Sequence, residues 1–286
     1  MNRLLAFALI TLAAGSAGAQ SRQDRAYIAQ TLLGGTTRSA STELALGTPP
    51  LRLTDQFLVG ASIYARRTWL EGADPGDGGT FVGNDLQVGL LLLVPLNERW
   101  TLSLVPVAAG RFTSDADFRV PRDLTIAGVA LASYAVSGNR DFVVSFGLLF
   151  TNTLPFSPVI PIAGLRWSNE YWRVEALWPQ PQAVRRVGER FEVGVALRFD
   201  YPLYRIIDVA VADGTAAYAR LTNHYFGGII AARLVSDLWL AAKPAVNLGR
   251  VVRLADDDRD NLDGGRQSLD AAPAITFILS WRGGRR

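Results

Sequence analysis

Between Arg190 and Tyr201 the chain alternates strictly. One parity reads Phe191, Val193, Val195, Leu197, Phe199 and Tyr201; the other reads Arg190, Glu192, Gly194, Ala196, Arg198 and Asp200. A period of two puts successive side chains on opposite faces of a strand, so one face is apolar and the other polar or small. The same split sets Phe142, Val144, Phe146, Leu148 and Phe150 against Ser145, Gly147 and Thr151. It also sets Leu240, Ala242, Val246 and Leu248 against Lys243 and Asn247, and Trp172, Val174, Ala176 and Trp178 against Arg173 and Glu175. Turn residues between such runs delimit about twelve strands: 57–70, 84–95, 100–112, 124–136, 141–153, 158–167, 171–178, 190–200, 203–211, 225–235, 238–250 and 271–282. The stretch 212–223 reads equally as a loop carrying Tyr218 or as a further strand, so the pattern admits ten to fourteen. Pro106, Pro161 and Pro244 fall inside predicted strands, each removes a ladder donor, and bulges are expected there.

Connections alternate in length over part of the chain. Those at 71–83, 113–123, 179–189 and 251–270 are long, whereas those at 96–99, 137–140, 168–170 and 236–237 are short. Residues 20–56, with a Ser/Thr-rich run and the Pro49-Pro50 pair, do not resolve into elements. They are expected to form an extension ahead of the barrel or a plug in its mouth, with the barrel over 57–286.

The first nineteen residues read as an export signal. Arg3 supplies the positive region, Leu4 to Ala14 the apolar core, and Ala17-Gly18-Ala19 a small-residue cleavage site. After it, the longest run without a polar side chain is Val88 to Leu96, far short of the ~20 residues a membrane helix needs. An exported chain without helical spans is either a soluble sheet protein or a closed transmembrane β-barrel, which alone among sheets satisfies every backbone group in lipid. The tryptophans separate the two. Trp69, Trp100, Trp167, Trp172, Trp178, Trp239 and Trp281 all fall at or next to predicted strand ends, where two aromatic girdles would meet the headgroups. The expected fold is therefore all-β, a closed antiparallel transmembrane barrel in a bacterial outer membrane. Short turns and both termini then face the periplasm and long loops face outward.

Composition narrows the chemistry. Cysteine is absent, so disulfides, thiolate metal sites and a Cys nucleophile are excluded, and His224 is the single histidine. The formal charge is only +3, and its basic residues are dispersed, which argues against a nucleic-acid partner. No cofactor motif and no metal-ligand spacing is found.

Three stretches resemble an uncharacterised family of bacterial outer-membrane β-barrel proteins, a domain of unknown function: Pro158 through Trp167, Trp172 through Trp178-Pro179, and Tyr218 through Gly227-Gly228 to the final strand. The resemblance implies fold and location, and it brings no activity or catalytic residues. The last strand, with Ile275, Phe277, Leu279 and Trp281 on one face, looks like the terminal signal read by the barrel assembly machinery, although Arg282 to Arg286 follow it. That machinery, outer-membrane lipids and lipopolysaccharide are the expected partners.

On the inward parity the alternation places Arg66, Gln87, Arg111, Arg166, Arg173, Glu175, Glu192, Arg198, Arg233, Lys243 and Asn247, with Asp85. Its charges are mostly basic, so an open lumen would favour anions. The competing reading pairs Arg173, Glu175, Glu192 and Arg198 inside a closed barrel, because buried charge requires a partner. Leu91, Val105, Val107, Val129, Leu131 and Leu149 also point inward and narrow the passage. The expected function is a pore or passive transporter for small anionic or amphipathic solutes, and the protein is not expected to be an enzyme. The alternatives are a non-conducting structural or adhesive barrel acting through its loops and, third, a lipid-modifying enzyme built on His224 with Thr222 on its face. The acidic run Asp256 to Gly265 matches a calcium loop at three positions only and reads as a solvated loop.

Overall fold

The alternating segments become the wall of a barrel. The computed structural model describes residues 24–282 apart from 36–37, 55, 72–79, 115, 117–118, 121–122, 137–140, 152–158, 178–179 and 212–213. The predicted export signal and Trp178 lie outside the described residues. Eighteen strands follow one another: β1 (Asp24–Leu33), β2 (Ser39–Gly47), β3 (Leu51–Thr54), β4 (Phe57–Glu71), β5 (Thr80–Pro95), β6 (Trp100–Thr113), β7 (Leu124–Ala135), β8 (Phe142–Thr151), β9 (Val159–Ser168), β10 (Trp172–Leu177), β11 (Gln182–Val187), β12 (Phe191–Asp200), β13 (Leu203–Val211), β14 (Gly214–Val235), β15 (Leu238–Asn247), β16 (Arg250–Ala255), β17 (Asn261–Leu269) and β18 (Ala272–Arg282). Among the described residues no helix is long and apolar enough to cross a membrane.

Fourteen of these strands close an antiparallel ring, β1-β2-β4-β5-β6-β7-β8-β9-β10-β11-β12-β14-β15-β18, sealed where β18 pairs with β1 from Arg282↔Asp24 to Ala274↔Leu33. Closure removes both sheet edges. The outer parity carries Ile63, Leu86, Val88, Phe146, Val195, Ile230 and Phe277, all about half exposed. Such a belt of exposed large apolar side chains is a lipid-facing surface, and the protein is a transmembrane barrel of the outer-membrane type.

The strand count departs from the sequence reading at three places. Residues 24–33 and 39–47, expected ahead of the barrel, are wall strands β1 and β2. Their outward parity is interrupted by Gln30 and Thr42, which hides the alternation and is tolerated because the Thr42 hydroxyl donates to Gln30 Oε1 at 2.6 Å. Residues 182–187, expected in a long loop, form β11. Its adjacent arginines point to opposite faces, Arg186 inward toward Glu192 and Arg185 outward over the Trp172 ring at 5.9 Å. Residues 203–211 are a strand, as expected, but one that leaves the wall. Dropping β13 from the twelve and adding β1, β2 and β11 gives fourteen. The three prolines are also accommodated differently, since the register is continuous across Pro106↔Gly128, Leu148↔Pro161 and Pro244↔Ile275, with no bulge. All three rings lie on the outward parity.

Above the wall sits a second, smaller layer. The first residues of β14 continue beyond the ring and pair with β13 on one side and β16 on the other, and β16 pairs with β17. The ambiguous stretch 212–223 and the presumed loop 251–270 thus supply most of a four-stranded cap, β13-β14-β16-β17. Its far edge reaches across the mouth, where Arg205 pairs with Phe112 at the end of β6.

Candidate functional site

All eleven predicted lumen residues lie on inward-facing strand positions, and most of them fall into two ionic layers. The upper layer, toward the cap, joins opposite walls. Arg66 of β4 donates through Nη1 to Asp200 of β12, and its Nη2 lies 3.5 Å from Asp85 of β5; Arg111 of β6 reaches the same Asp85 at 2.9 Å, and Gln87 donates to Asp85 at 2.7 Å. Arg198 of β12 donates to Glu43 of β2 at 2.7 Å. Around the ring, β4 and β12 are separated by five wall strands one way and seven the other.

That separation fixes the shape of the lumen. A circular ring of fourteen strands spaced ~4.8 Å and tilted ~40° would be about 28 Å across between facing Cα atoms. A hydrogen-bonded Arg–Asp pair spans only about 13 Å between Cα atoms. The barrel is therefore flattened at this level, with β12 folded in toward β2 and β4. Gly194 and Gly227 lie on this part of the wall. Both face inward, and a Cβ on either would overlap a neighbouring strand's carbonyl oxygen, that of Ala183 or of Pro244.

The lower layer lies near the short turns. Glu192 receives Arg282 at 2.7 Å and lies within 4.0 Å of Arg173 and Arg186, while Glu175 accepts from Gln182 at 2.6 Å. The network expected among Arg173, Glu175, Glu192 and Arg198 is thus divided: the first three belong here, and Arg198 belongs to the upper layer with Glu43 and Asp200. Arg233 sits at the rim, 3.8 Å from the exposed Glu189, and Asn247 is fully buried, with its amide donating to Asn223 at 2.8 Å. Arg166 and Lys243 also face inward. Between the ionic layers and the β5–β8 wall, Leu91, Leu93, Val105, Val107, Val129, Leu131 and Leu149 form a buried apolar cluster. The inward aliphatic residues anticipated from the alternation are all in it.

The tryptophans divide less evenly than a pair of girdles. Trp100, Trp167, Trp172 and Trp281 face outward at the short-turn rim, and Trp69 faces outward at the opposite rim. Trp239 is the exception. Paired with Ser280, it lies on the inward face, where the Arg282 guanidinium stacks at 4.4 Å from its ring. A strand-end position does not disclose which parity it occupies when the alternation fails, as it does at Leu238-Trp239.

His224 occupies the outward face near the upper rim. Its Nε2 is 2.7 Å from the Tyr201 hydroxyl, the rings of Phe199 and Tyr201 pack edge-on to it, and a Cβ at Gly249 would fall 2.5 Å from Nδ1. The hydroxyl at the imidazole is thus the Tyr201 phenol.

The cap docks through residues that sequence reasoning passed over. Tyr204 is fully buried, packs edge-on to Phe81 at 5.4 Å and lies over Gly83, where a Cβ would meet its ring at 2.7 Å. Leu70, Ile206, Leu221, Val252 and Leu254 complete that apolar contact. On the other face Tyr218 donates to Asp123 at 3.2 Å and lies between Arg205 and Arg259, each 5.5 Å from its ring. Gly83→Val is expected to displace Tyr204 and release the cap. Limited proteolysis should then cleave within 203–222 and 250–270 at least tenfold faster, while the wall keeps its heat-modifiable mobility on gels. The acidic run has a local role: Asp256 accepts the Asp260 backbone N–H at 2.8 Å and closes the β16–β17 turn, with Arg259 at φ 67°.

Beneath the cap lies a small pocket. Arg66, Arg198, Arg250, Glu43 and Asp200 line it, together with the hydroxyls of Thr31, Ser39, Ser41 and Thr68 and the Tyr225 ring.

No protein-family model and no curated protein matches the chain. Solved structures similar to it include the NanC porin, at 9% identity over 90% of this chain and 98% of that one, with a TM-score of 0.41. The Pseudomonas putida toluene transporter TodX is similar at 10% identity over 90% and 88%, with a TM-score of 0.34. The β domain of the Bordetella autotransporter BrkA is similar at 12% identity over 90% and 96%, with a TM-score of 0.28. Scores of this order establish neither family nor activity.

Proposed function

We propose that this barrel is a passive outer-membrane transporter for small polar anions, held closed at rest by its upper ionic layer and its cap. The pocket beneath the cap carries the reading. Its three guanidinium groups outnumber its two carboxylates, and its hydroxyls suit a small hydrogen-bonding solute. A solute entering there meets the Arg66–Asp200 and Arg198–Glu43 contacts, which must part before it can pass. Ion pairs suit such a gate because a permeating anion can take the place of the carboxylate on the guanidinium.

Planar-bilayer recording tests this. Wild type should show small or rare openings that favour anions over cations, and Arg66→Gln combined with Asp200→Asn should raise the conductance several-fold. The cross-lumen pairs also suit a barrel that never conducts and acts through its outer surface. In that case wild type and the double variant are both silent, and liposome swelling with small anions is absent in both; this result would overturn the transporter reading.

A further inference from the structure

The outer face of the cap presents a row of like charges. Arg220 of β14 stands directly opposite Arg253 of β16, and Arg253 directly opposite Arg266 of β17, so three arginines occupy adjacent positions across three strands. Directly opposed like charges destabilise a sheet. The row lies on the parity that runs down β14 through Thr222 to the outward-facing His224, so it sits on the exterior of the barrel just above the upper rim. The parity below the cap, Ala219 and Leu221, is the one packed on the wall.

Arg220 is only 2% exposed, and its Nε is buried without a hydrogen-bond acceptor. Its other nitrogens are occupied, Nη1 by the Asn261 side chain and Nη2 by the Arg259 carbonyl at 3.4 Å. Burial, and then Arg253 and Arg259, pull this guanidinium down to about 10, with Asp260 opposing them. A buried guanidinium with an unused donor, crowded by further arginines, favours an added counter-anion.

We propose that Arg220, Arg253 and Arg266 form an oxyanion site for a phosphate group on the outer face of the cap. The inference is independent of whether the lumen conducts. Phosphate offers several acceptor oxygens and up to two negative charges, enough to neutralise adjacent guanidinium groups at once. Its height at the upper rim is where an outer-leaflet glycolipid carries its phosphates. A soluble phosphate would satisfy the same donors.

The full chain, folded in a zwitterionic detergent without phosphate, is titrated with inorganic phosphate and, separately, with micelles carrying diphosphoryl lipid A or its dephosphorylated form. Calorimetric binding and the temperature at which the folded gel band is lost are measured for each. Wild type should bind a phosphate-bearing probe and melt at a higher temperature with it, and Arg253→Gln should weaken that binding tenfold or more. Without phosphate the same variant should melt above wild type, because a repulsive neighbour is gone. Arg266→Gln, at an exposed position, provides the same comparison if the first variant folds poorly. A response to lipid A alone identifies the site as a glycolipid contact, and a response to both probes identifies a general phosphate site. If neither probe's effect depends on Arg253 or Arg266, the proposal is overturned.

Discussion

Asp200→Ala should lower the stability of the barrel by about 3–5 kcal/mol, the range for removing one partner of a buried ion pair. The loss is large because Arg66, itself buried, then faces only Asp85 at 3.5 Å, and Asp85 is already shared with Arg111 and Gln87. Arg198 also loses a second carboxylate, 3.9 Å away. Removing both charges, as in Arg66→Met with Asp200→Leu, should recover most of the loss, since buried pairs replaced by apolar groups are often neutral. Equilibrium urea unfolding in lipid vesicles, analysed as a double-mutant cycle, measures both effects. A loss under 1 kcal/mol for Asp200→Ala would mean that the two walls are not held together there and that the lumen is wider than described.

Val195→Arg should destabilise the barrel by about 2–4 kcal/mol, the figure for a cation near the middle of the lipid face. Val195 is 54% exposed at the centre of β12 and points outward between Ala183 and Gly228. Ala196→Arg, one residue on, points into the lumen beside Gln182 and Gly227 and should cost less than half as much. The pair is read by the folded fraction on unboiled gels and by recovery in the outer-membrane fraction. Equal losses would show that the two parities do not face different solvents, and recovery of wild type in the soluble periplasm would sink the membrane reading itself.

Most of the wall was legible because lipid on one side and a polar interior on the other impose a two-residue period that survives in one dimension. Phe191 to Asp200 shows it without a break, and among the described residues those read as inward from such runs are inward. Where the period is interrupted the reading failed, at Gln30 and Thr42 in β1 and β2 and at Arg185-Arg186 in β11. In each place a neighbouring strand supplies the compensation, either a hydrogen bond on the outer face or a carboxylate within, and no local pattern records it. Parity at Trp239 was hidden for a related reason, since a strand end offers too few residues to fix a face.

What the one-dimensional pattern could not contain is anything that depends on which strands meet across space. Alternation says that Arg66, Arg198 and Asp200 point inward, but it is equally compatible with a round lumen in which none of them touch. Only closure into fourteen strands, followed by flattening of the ring, brings β12 within side-chain reach of β2 and β4. The cap has the same origin. Residues 203–222 and 250–269 are separate hairpins in the sequence, and they become one sheet only because β14 and β15 are neighbours in the ring. Sequence alone determined the solvent on each face of each strand, because that is a local free-energy preference. Tertiary structure decided the shape of the lumen, its closure and the arginine row on the cap, because those are long-range pairings whose energies appear only once distant strands are in contact.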